Sequence, residues 1–571
     1  MRSNSSLSRT WFLYGGIFLF AGILITKLFL IQIVNGELYS EKAHRQYVVP
    51  SRNIFDRGAI FFTERNGKPV SAATLKSGFT IAVNPSRLES ANEAFDSLSK
   101  VIPLDSDAFF IRASKKDDPY EEIAKRVDEK SGLEIAELGV EGVITVRDKW
   151  RFYPAGSTAS QLLGFVGYRG DTLSGRYGLE QYYDDILSRD PDRPYVNFFA
   201  EVFSNVGDSF LKGGNSREGS IITSIEPSVQ GVLENSLAAI MEEWNSEAAG
   251  GVVIDPKNGE IYALASLPDF NPNYFSVVDD PSVFSNPIVE SVFEMGSIIK
   301  PLTMAAGLDA GAVTADTEYE DKGYLLVDGA RIENYDGKGR GVVSMQQVLN
   351  KSLNTGAAFV MEQMGKKTFK KYMLLFGMGD ETGIDLPNET AGLVGNLDSK
   401  RDIEYVTASF GQGIALTPIA TVRALSALGN GGTLITPHIV RKVDYKLGFS
   451  KTMVQNEQES VIRPETSEEI TRMLVAVVDD ALLGGTVKLE NYSIAAKTGT
   501  AQIAREDGRG YDKDRFLHSF FGYFPAYDPQ FLVFLYTINP RGARYASETL
   551  TYPFMDITKF LLNYYEVPPD R

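Results

Sequence analysis

Cysteine is absent from all 571 residues. That excludes a disulfide framework, thiolate zinc sites and a thiol nucleophile, while leaving the compartment open. Histidine is scarce: His44, His438 and His518 stand far apart in the chain, which argues against an imidazole metal site and against a Ser-His-Asp triad. Any serine chemistry here needs a different base, and lysine is the usual substitute. A surplus of positive charge is also missing. The formal net charge is −17, whereas a nucleic-acid partner would require a basic surface. No internal repeat is visible, and the glycines are spread along the chain as turn markers.

What is present has the bulk balance of a globular protein, with 43% hydrophobic and 23% charged residues. The length exceeds what one compact core organises, so two or more domains are expected. The one long apolar run is Trp11 to Val34, interrupted only by the charge of Lys27. At about 1.5 Å per residue a helix of this length spans a hydrocarbon core of about 30 Å, and Lys27 can snorkel to the nearer surface. The run is too long for a signal peptide and no small-x-small cleavage site follows it. It is therefore expected to be a transmembrane helix at 11–34 behind a short tail at 1–10. Arg2 and Arg9 precede it, and Lys42, Arg45 and Arg52 follow, so charge alone does not orient it.

Residues 35–215 read as a β-rich or mixed domain of short elements. FTIAVNP from Phe79 and GVEGVITV from Gly139 suit strands, and EEIAKRVDEK from Glu121 reads as a helical patch. LKGGNSREGS, Leu211 to Ser220, reads as a boundary linker. From Ile221 the pattern becomes a strand, an amphipathic helix through IEPSVQGVLENSLAAIMEEW, and a hairpin at GGVVIDPKNGEIYALAS whose Pro-Lys-Asn-Gly supplies the turn. Helical segments follow, then strands around YSIAAKTGTAQ and HSFFGYFPAYDPQFLVFLYTI. The expected fold class is mixed α/β (α+β), an antiparallel sheet flanked by helices over residues 221–565.

Three short motifs carry chemistry. In FEMGSIIKPLTMAAGLDAG, Ser297 and Lys300 lie three apart, one turn along a helix face. Ser297 falls at the helix start, where N–H groups and the dipole favour developing negative charge. A desolvated Lys300 can be neutral and take the serine proton. In LNKSLNTGAAF, Ser352 can relay a proton to a leaving amine and Asn354 can hydrogen-bond a substrate amide. In SIAAKTGTAQ, Lys497, Thr498 and Thr500 suit a carboxylate, and Gly499 permits close approach of another backbone or a ligand. Each motif alone is weak: Ser-x-x-Lys is more often a cap and a solvated face, Ser-x-Asn a cap, Lys-Thr-Gly a turn. The specificity lies in the ordered set.

That set closely resembles the class B penicillin-binding proteins, the monofunctional transpeptidases of cell division and elongation. The resemblance covers nearly the whole chain. Arg57-Gly58-Ala59-Ile60 and Arg65-Asn66-Gly67 are similar to the family's Arg-Gly-x-Ile-x-Asp-Arg-x-Gly signature, with a longer spacing and Glu64 where Asp is usual. RFYPAGSTASQLLGFVG from Arg151 and GLEQYYDDIL from Gly178 resemble its pedestal, or dimerisation, domain. SFGQGIALTP from Ser409 resembles a catalytic-domain signature. Met295 replaces the usual proline beside the nucleophile, and Ile298-Ile299 replace a more polar pair.

The resemblance implies that Ser297 attacks the carbonyl of the penultimate D-Ala of a stem peptide, releases the terminal D-Ala and passes the acyl group to an amine on a neighbouring stem. It implies Lys300 as base, Ser352 as proton shuttle, and Lys497, Thr498 and Thr500 around the terminal carboxylate. The N–H groups of Ser297 and Thr500 would form the oxyanion hole, a donor type worth about 3 kcal/mol each. β-Lactams would acylate the same serine, and no metal or organic cofactor is required. The substrate lies outside the cytoplasmic membrane, which would put everything after the span outside. No Glu-Asp-x-x-Phe-x-x-His-x-Gly motif is present, so glycan polymerisation would fall to a partner such as a SEDS-type glycosyltransferase among other cell-wall synthesis membrane proteins. Competing readings share the motifs: a D,D-carboxypeptidase or β-lactamase, separated by the lifetime of the penicilloyl adduct, and a non-catalytic β-lactam sensor or scaffold.

Overall fold

The computed structural model describes residues 55–170, 172–189, 218–446, 448–453, 459–505 and 510–571. The tail at 1–10, the span at 11–34 and most of the linker at 211–220 lie outside the described residues. Among the described residues no helix is long and apolar enough to cross a membrane.

The chain forms two compact units. The described part of the first is centred on Ser77–Trp150. Its helices Ala91–Leu98, Ser106–Ala113 and Glu129–Leu138 are capped by Ser90, Asp105 and Asp128, whose side chains accept from the backbone N–H three residues on. They enclose a core that includes Phe79, Ile81, Val83, Leu98, Phe109 and Ile135. One expectation fails here. Glu121–Asp128 is a strand, not a helical patch, paired antiparallel with the segment from Gly78 to Val83. The register slips between Phe79 and Ile81, and Arg126 adopts φ 57. The extra residue turns Ala124 and Val127, three apart, toward one side, so a bulged strand imitates helical spacing.

The second unit comprises Arg57–Lys76, Arg151–Ser188 and Arg217–Arg571. Its centre is a five-stranded antiparallel sheet built from β1 (Ala248–Ile254), β2 (Ile261–Leu267), β3 (Ala495–Ala504), β4 (Tyr511–Phe524) and β5 (Phe531–Ile538), in the order β3-β4-β5-β1-β2. Alternation along the strands separates two cores. Val253, Phe520, Val533 and Leu535 face helices α1 (Pro227–Trp244) and α4 (Thr551–Tyr564). Val252, Phe521, Leu532 and Phe534 face the opposite way, into the core that holds Ile298, Leu302, Ile419 and Leu425. Helix α1 begins where Glu226 accepts from Val229 N–H at 2.7 Å with Pro227 in the first turn, and it ends at Asn245 in the left-handed region, φ 44. Its buried stripe of Val229, Leu233, Leu237 and Ile240 is worth about 1.5–3 kcal/mol per side chain. This is the antiparallel sheet flanked by helices expected from the sequence.

Within the same unit, strand Ile60–Thr63 pairs antiparallel with the strand that starts at Pro69 and parallel with Gly219–Thr223. The signature arginines of that region meet on Glu180. Arg57 Nε and Arg151 Nε each donate to its carboxylate at 2.6 Å, and Tyr153 Oη does so at 3.2 Å, with all four side chains buried. Burial alone would raise the Glu180 carboxyl, but the two guanidiniums outweigh it and hold it below the ordinary carboxylate range.

Candidate active site

Three elements bring the motif residues together. Gly296 adopts φ 62, and Gly296–Ile299 forms a 3₁₀ turn that runs into α2 (Lys300–Asp309). A side chain at Gly296 would meet the Thr500 carbonyl oxygen at 2.7 Å, so the turn carrying Ser297 lies directly against β3. Gly296 N–H donates to Gly411 O at 3.1 Å, which anchors the turn on the SFGQG segment. Strand β3 is the sheet edge and carries Lys497 to Thr500. Helix α3 (Asn354–Met364) starts at Asn354, immediately after Ser352 and Leu353.

Ser297, Ser352, Asn354, Lys497, Thr498 and Thr500 line a single cavity of about 360 Å³. Lys300, 1% exposed, reaches the same place from behind. Its Nζ donates to Ser352 O at 2.6 Å and to Ser352 Oγ at 3.2 Å. Lys497, 3% exposed, donates to Ser352 Oγ at 3.0 Å and to Thr498 O at 2.9 Å. In this state the Lys300 amine is engaged by Ser352 rather than by Ser297. The carbonyl of Ser352 can face Lys300 because Ser352 sits at φ 52, a strained backbone state for a non-glycine residue.

Gly499 is not on the cavity wall. A Cβ there would lie 2.3 Å from Ser519 Oγ and 2.7 Å from Met295 O, so glycine is what lets β3 pack against the segment before Ser297. Thr500 Oγ1 accepts from Ala546 N–H at 3.1 Å. The amide nitrogen of Asn354 donates to Glu333 O at 2.8 Å, and its oxygen has no protein partner among the described residues.

Burial, reinforced by the charge of Lys497, pushes the Lys300 ammonium well below the ordinary lysine value. Burial pushes Lys497 down to about 7. Two desolvated amines around one hydroxyl form an acid–base array without histidine. Of the two described histidines, His518 pairs with Thr549 Oγ1 at 2.9 Å and is pushed down to about 4 by burial, and His438 contacts Thr436 O. Neither lines the cavity.

The rest of the cavity comes from residues that carry no sequence signal. Tyr335 and Tyr545, both on its lining, pack edge to face with centroids 5.5 Å apart. On the same lining, helix Pro464–Ala476 runs into a π turn at Val477–Ala481, followed by Leu483 at φ 48, a local irregularity common at functional sites. Val477, Leu482 and Leu483 make an apolar wall there.

Residues 249–557 match the penicillin binding protein transpeptidase domain, and residues 55–193 match the penicillin-binding protein dimerisation domain. Stage V sporulation protein D of Bacillus subtilis (strain 168) is 33% identical over 549 residues, covering 93% of this chain and 82% of that protein. Peptidoglycan D,D-transpeptidase FtsI of Buchnera aphidicola subsp. Schizaphis graminum is 25% identical over 563 residues, covering 97% of this chain and 94% of that protein. Among solved structures, penicillin binding protein 2X from Streptococcus thermophilus superposes with a TM-score of 0.72 at 20% identity, covering 90% of this chain and 81% of the other. At that identity the likeness is one of fold.

Proposed function

The chain belongs to the penicillin-binding proteins, among the class B D,D-transpeptidases, and on that premise we propose that it cross-links peptidoglycan through an acyl-enzyme on Ser297. The reaction is serine-type acyl transfer between stem peptides, the chemistry that β-lactams intercept. The observation that carries the residue assignment is the convergence of Lys300 and Lys497 on Ser352 Oγ, in the cavity that Ser297 also lines.

The roles follow from the protonation states. A buried Lys300, whose ammonium is disfavoured by burial and by the charge of Lys497, takes the Ser297 proton as Oγ attacks the carbonyl of the penultimate D-Ala. The N–H groups of Ser297 and Thr500 are assigned to the oxyanion, where each donor is worth about 3 kcal/mol. Ser352 Oγ receives both lysines, which occupies its two lone pairs and leaves its own hydrogen to point elsewhere. Directed into the cavity, that hydrogen reaches the departing D-Ala amine while Lys300 passes the proton it took from Ser297 on to Ser352 Oγ, to which its Nζ already donates at 3.2 Å. In the second half-reaction the acceptor amine attacks the ester and gives its proton back along the same route. Lys497, with Thr498 and Thr500, takes the terminal carboxylate, whose negative charge restores the ammonium that burial disfavours. Asn354 offers its free amide oxygen to a backbone N–H of the stem peptide. Gly499 serves by letting β3 approach the Ser297 turn.

The domain reading extends this proposal: a tail at 1–10, a single span at 11–34, a pedestal at 35–215 and a transpeptidase domain at 221–565, with everything after the span outside the cytoplasm. The apolar run, broken only by Lys27, and the extracytoplasmic substrate support it. A SEDS-type glycosyltransferase is the proposed partner, because cross-linking needs glycan strands and the chain carries no motif for making them. Ser297→Ala in the full chain is the test. The variant should keep its fold and lose covalent labelling by a fluorescent penicillin; labelling at the parental level would reject the nucleophile assignment.

A further inference from the structure

Helix α3 starts without a cap of its own. Leu353 occupies the cap position and makes no side-chain hydrogen bond, although the first N–H groups of a helix need acceptors. The acceptor comes from elsewhere in the chain. Asn334, 3% exposed, sits in the turn after strand Ala330–Glu333, and its Oδ1 accepts from Asn354 N–H at 2.9 Å and Thr355 N–H at 3.3 Å. The orientation of that amide is dictated by Asp321, 2% exposed. The Asp321 carboxylate receives Asn334 Nδ2 at 3.0 and 3.1 Å, Thr355 Oγ1 at 2.8 Å, Gly323 N–H at 2.9 Å and Arg340 N–H at 3.0 Å. A carboxylate only accepts, so it fixes the nitrogen end of Asn334 on itself and the oxygen end on the helix. The neighbouring Glu333 carbonyl holds the Asn354 side chain at 2.8 Å. Both the main chain and the side chain of Asn354 are therefore clamped by residues 333 and 334.

We propose that Asp321 and Asn334 are positioning residues of the transpeptidase, capping α3 from outside and thereby setting where Ser352 and Asn354 stand in the groove. The proposal rests on the reading of Ser352 and Asn354 as substrate-handling groups. Neither Asp321 nor Asn334 lines the cavity, so they act through the helix start. Two residues before Asn354, the strained Ser352 turn presents its carbonyl to Lys300. A slack helix start would let that turn relax and carry the Ser352 hydroxyl away from both lysines. Charged and titratable neighbours are few: Tyr319 bonds Thr355 Oγ1 at 3.0 Å, and Arg340 pairs with Asp336 at 2.8 Å.

The test is acylation of the full chain in detergent by a fluorescent penicillin, measured from acid to mildly alkaline pH for Asn334→Asp, Asp321→Asn and the double exchange. Asn334→Asp opposes two buried carboxylates, which must share a proton to keep the geometry. Its acylation rate should fall about 10- to 100-fold at neutral pH, the scale of a small misplacement of reacting groups. The deficit relative to the parent should shrink as pH falls and one carboxyl protonates. A purely structural lesion has no reason to follow that trend, which runs against the loss of neutral Lys300 in acid. The double exchange keeps one carboxylate and one amide, with the acceptor still on the helix but without an acceptor for Arg340 N–H, and should recover the neutral-pH rate at least about 3-fold over Asn334→Asp. Parental rates in Asn334→Asp, or a deficit that neither acid nor the double exchange repairs, would overturn the proposal. Labelling of Ser297→Ala in the same experiment would instead overturn the underlying site reading, so the two failures are distinguishable.

Discussion

Lys497→Met should stabilise the transpeptidase unit in acid and do little for it in mild alkali. Lys497 is 3% exposed, and burial lowers its ammonium from the ordinary 10.5 to about 7. The unfolded chain keeps the ordinary value. Between about pH 7 and about pH 10.5 the unfolded state therefore holds a proton that the folded state has shed. Stability rises with pH across that window, and below it the full cost of burying the charge is felt. Linkage puts that cost at about 5 kcal/mol at pH 6 and about 2 kcal/mol at pH 9. Methionine fills a similar volume without the charge. It also removes the donors to Ser352 Oγ and Thr498 O, about 1 kcal/mol each, a loss that does not depend on pH. The net gain is then about 3 kcal/mol at pH 6 and close to zero at pH 9. Relief of Lys300 from its charged neighbour acts in the same direction. Urea unfolding of parent and variant at the two pH values reads the difference directly. A stability gap that is equal at both pH values, or larger in alkali, refutes the reasoning that two lysines are held against their charge to serve the chemistry.

Acylation of the parent by a β-lactam should rise with pH and level off well below the ordinary lysine value, because burial and Lys497 hold Lys300 down; stopped-flow measurement of the acylation rate checks this. Lys300→Arg, which cannot be deprotonated, should lose about 10²- to 10⁴-fold in the same assay. Glu180→Gln strips the charge that Arg57 and Arg151 share and should cost about 3–5 kcal/mol in a denaturation series. Because Glu180 is held below its ordinary range, its contribution is present above the unfolded carboxylate pKa and lost as pH falls, so that deficit should narrow in acid.

The sequence made the proposed reactive side chains visible because the chemistry assigned to them requires particular types at short spacings: Ser297 with Lys300, Ser352 with Asn354, Lys497 with its threonines. The sheet was legible through apolar runs bounded by Pro-Lys-Asn-Gly and by Gly-rich turns. What supports the site was not legible. Asp321 and Asn334 lie 33 and 20 residues before Asn354, and nothing local distinguishes a buried capping pair from ordinary turn residues. Tyr335 and Tyr545 meet only because a hairpin and the segment before α4 converge on one groove. The strand at Glu121–Asp128 escaped because one left-handed residue, Arg126, converts a period of two into helix-like spacing. Glu180 sits in a helical pattern, and its partners are 123 and 29 residues away, beyond any periodicity.

Mass spectrometry of peptides from the 571-residue chain after brief exposure to benzylpenicillin bears most directly on the acyl-enzyme. The account predicts a single penicilloyl group on the peptide that contains Ser297, gone in Ser297→Ala. An adduct on Ser352 or on any other side chain, or an unmodified Ser297 after full inhibition, would contradict it.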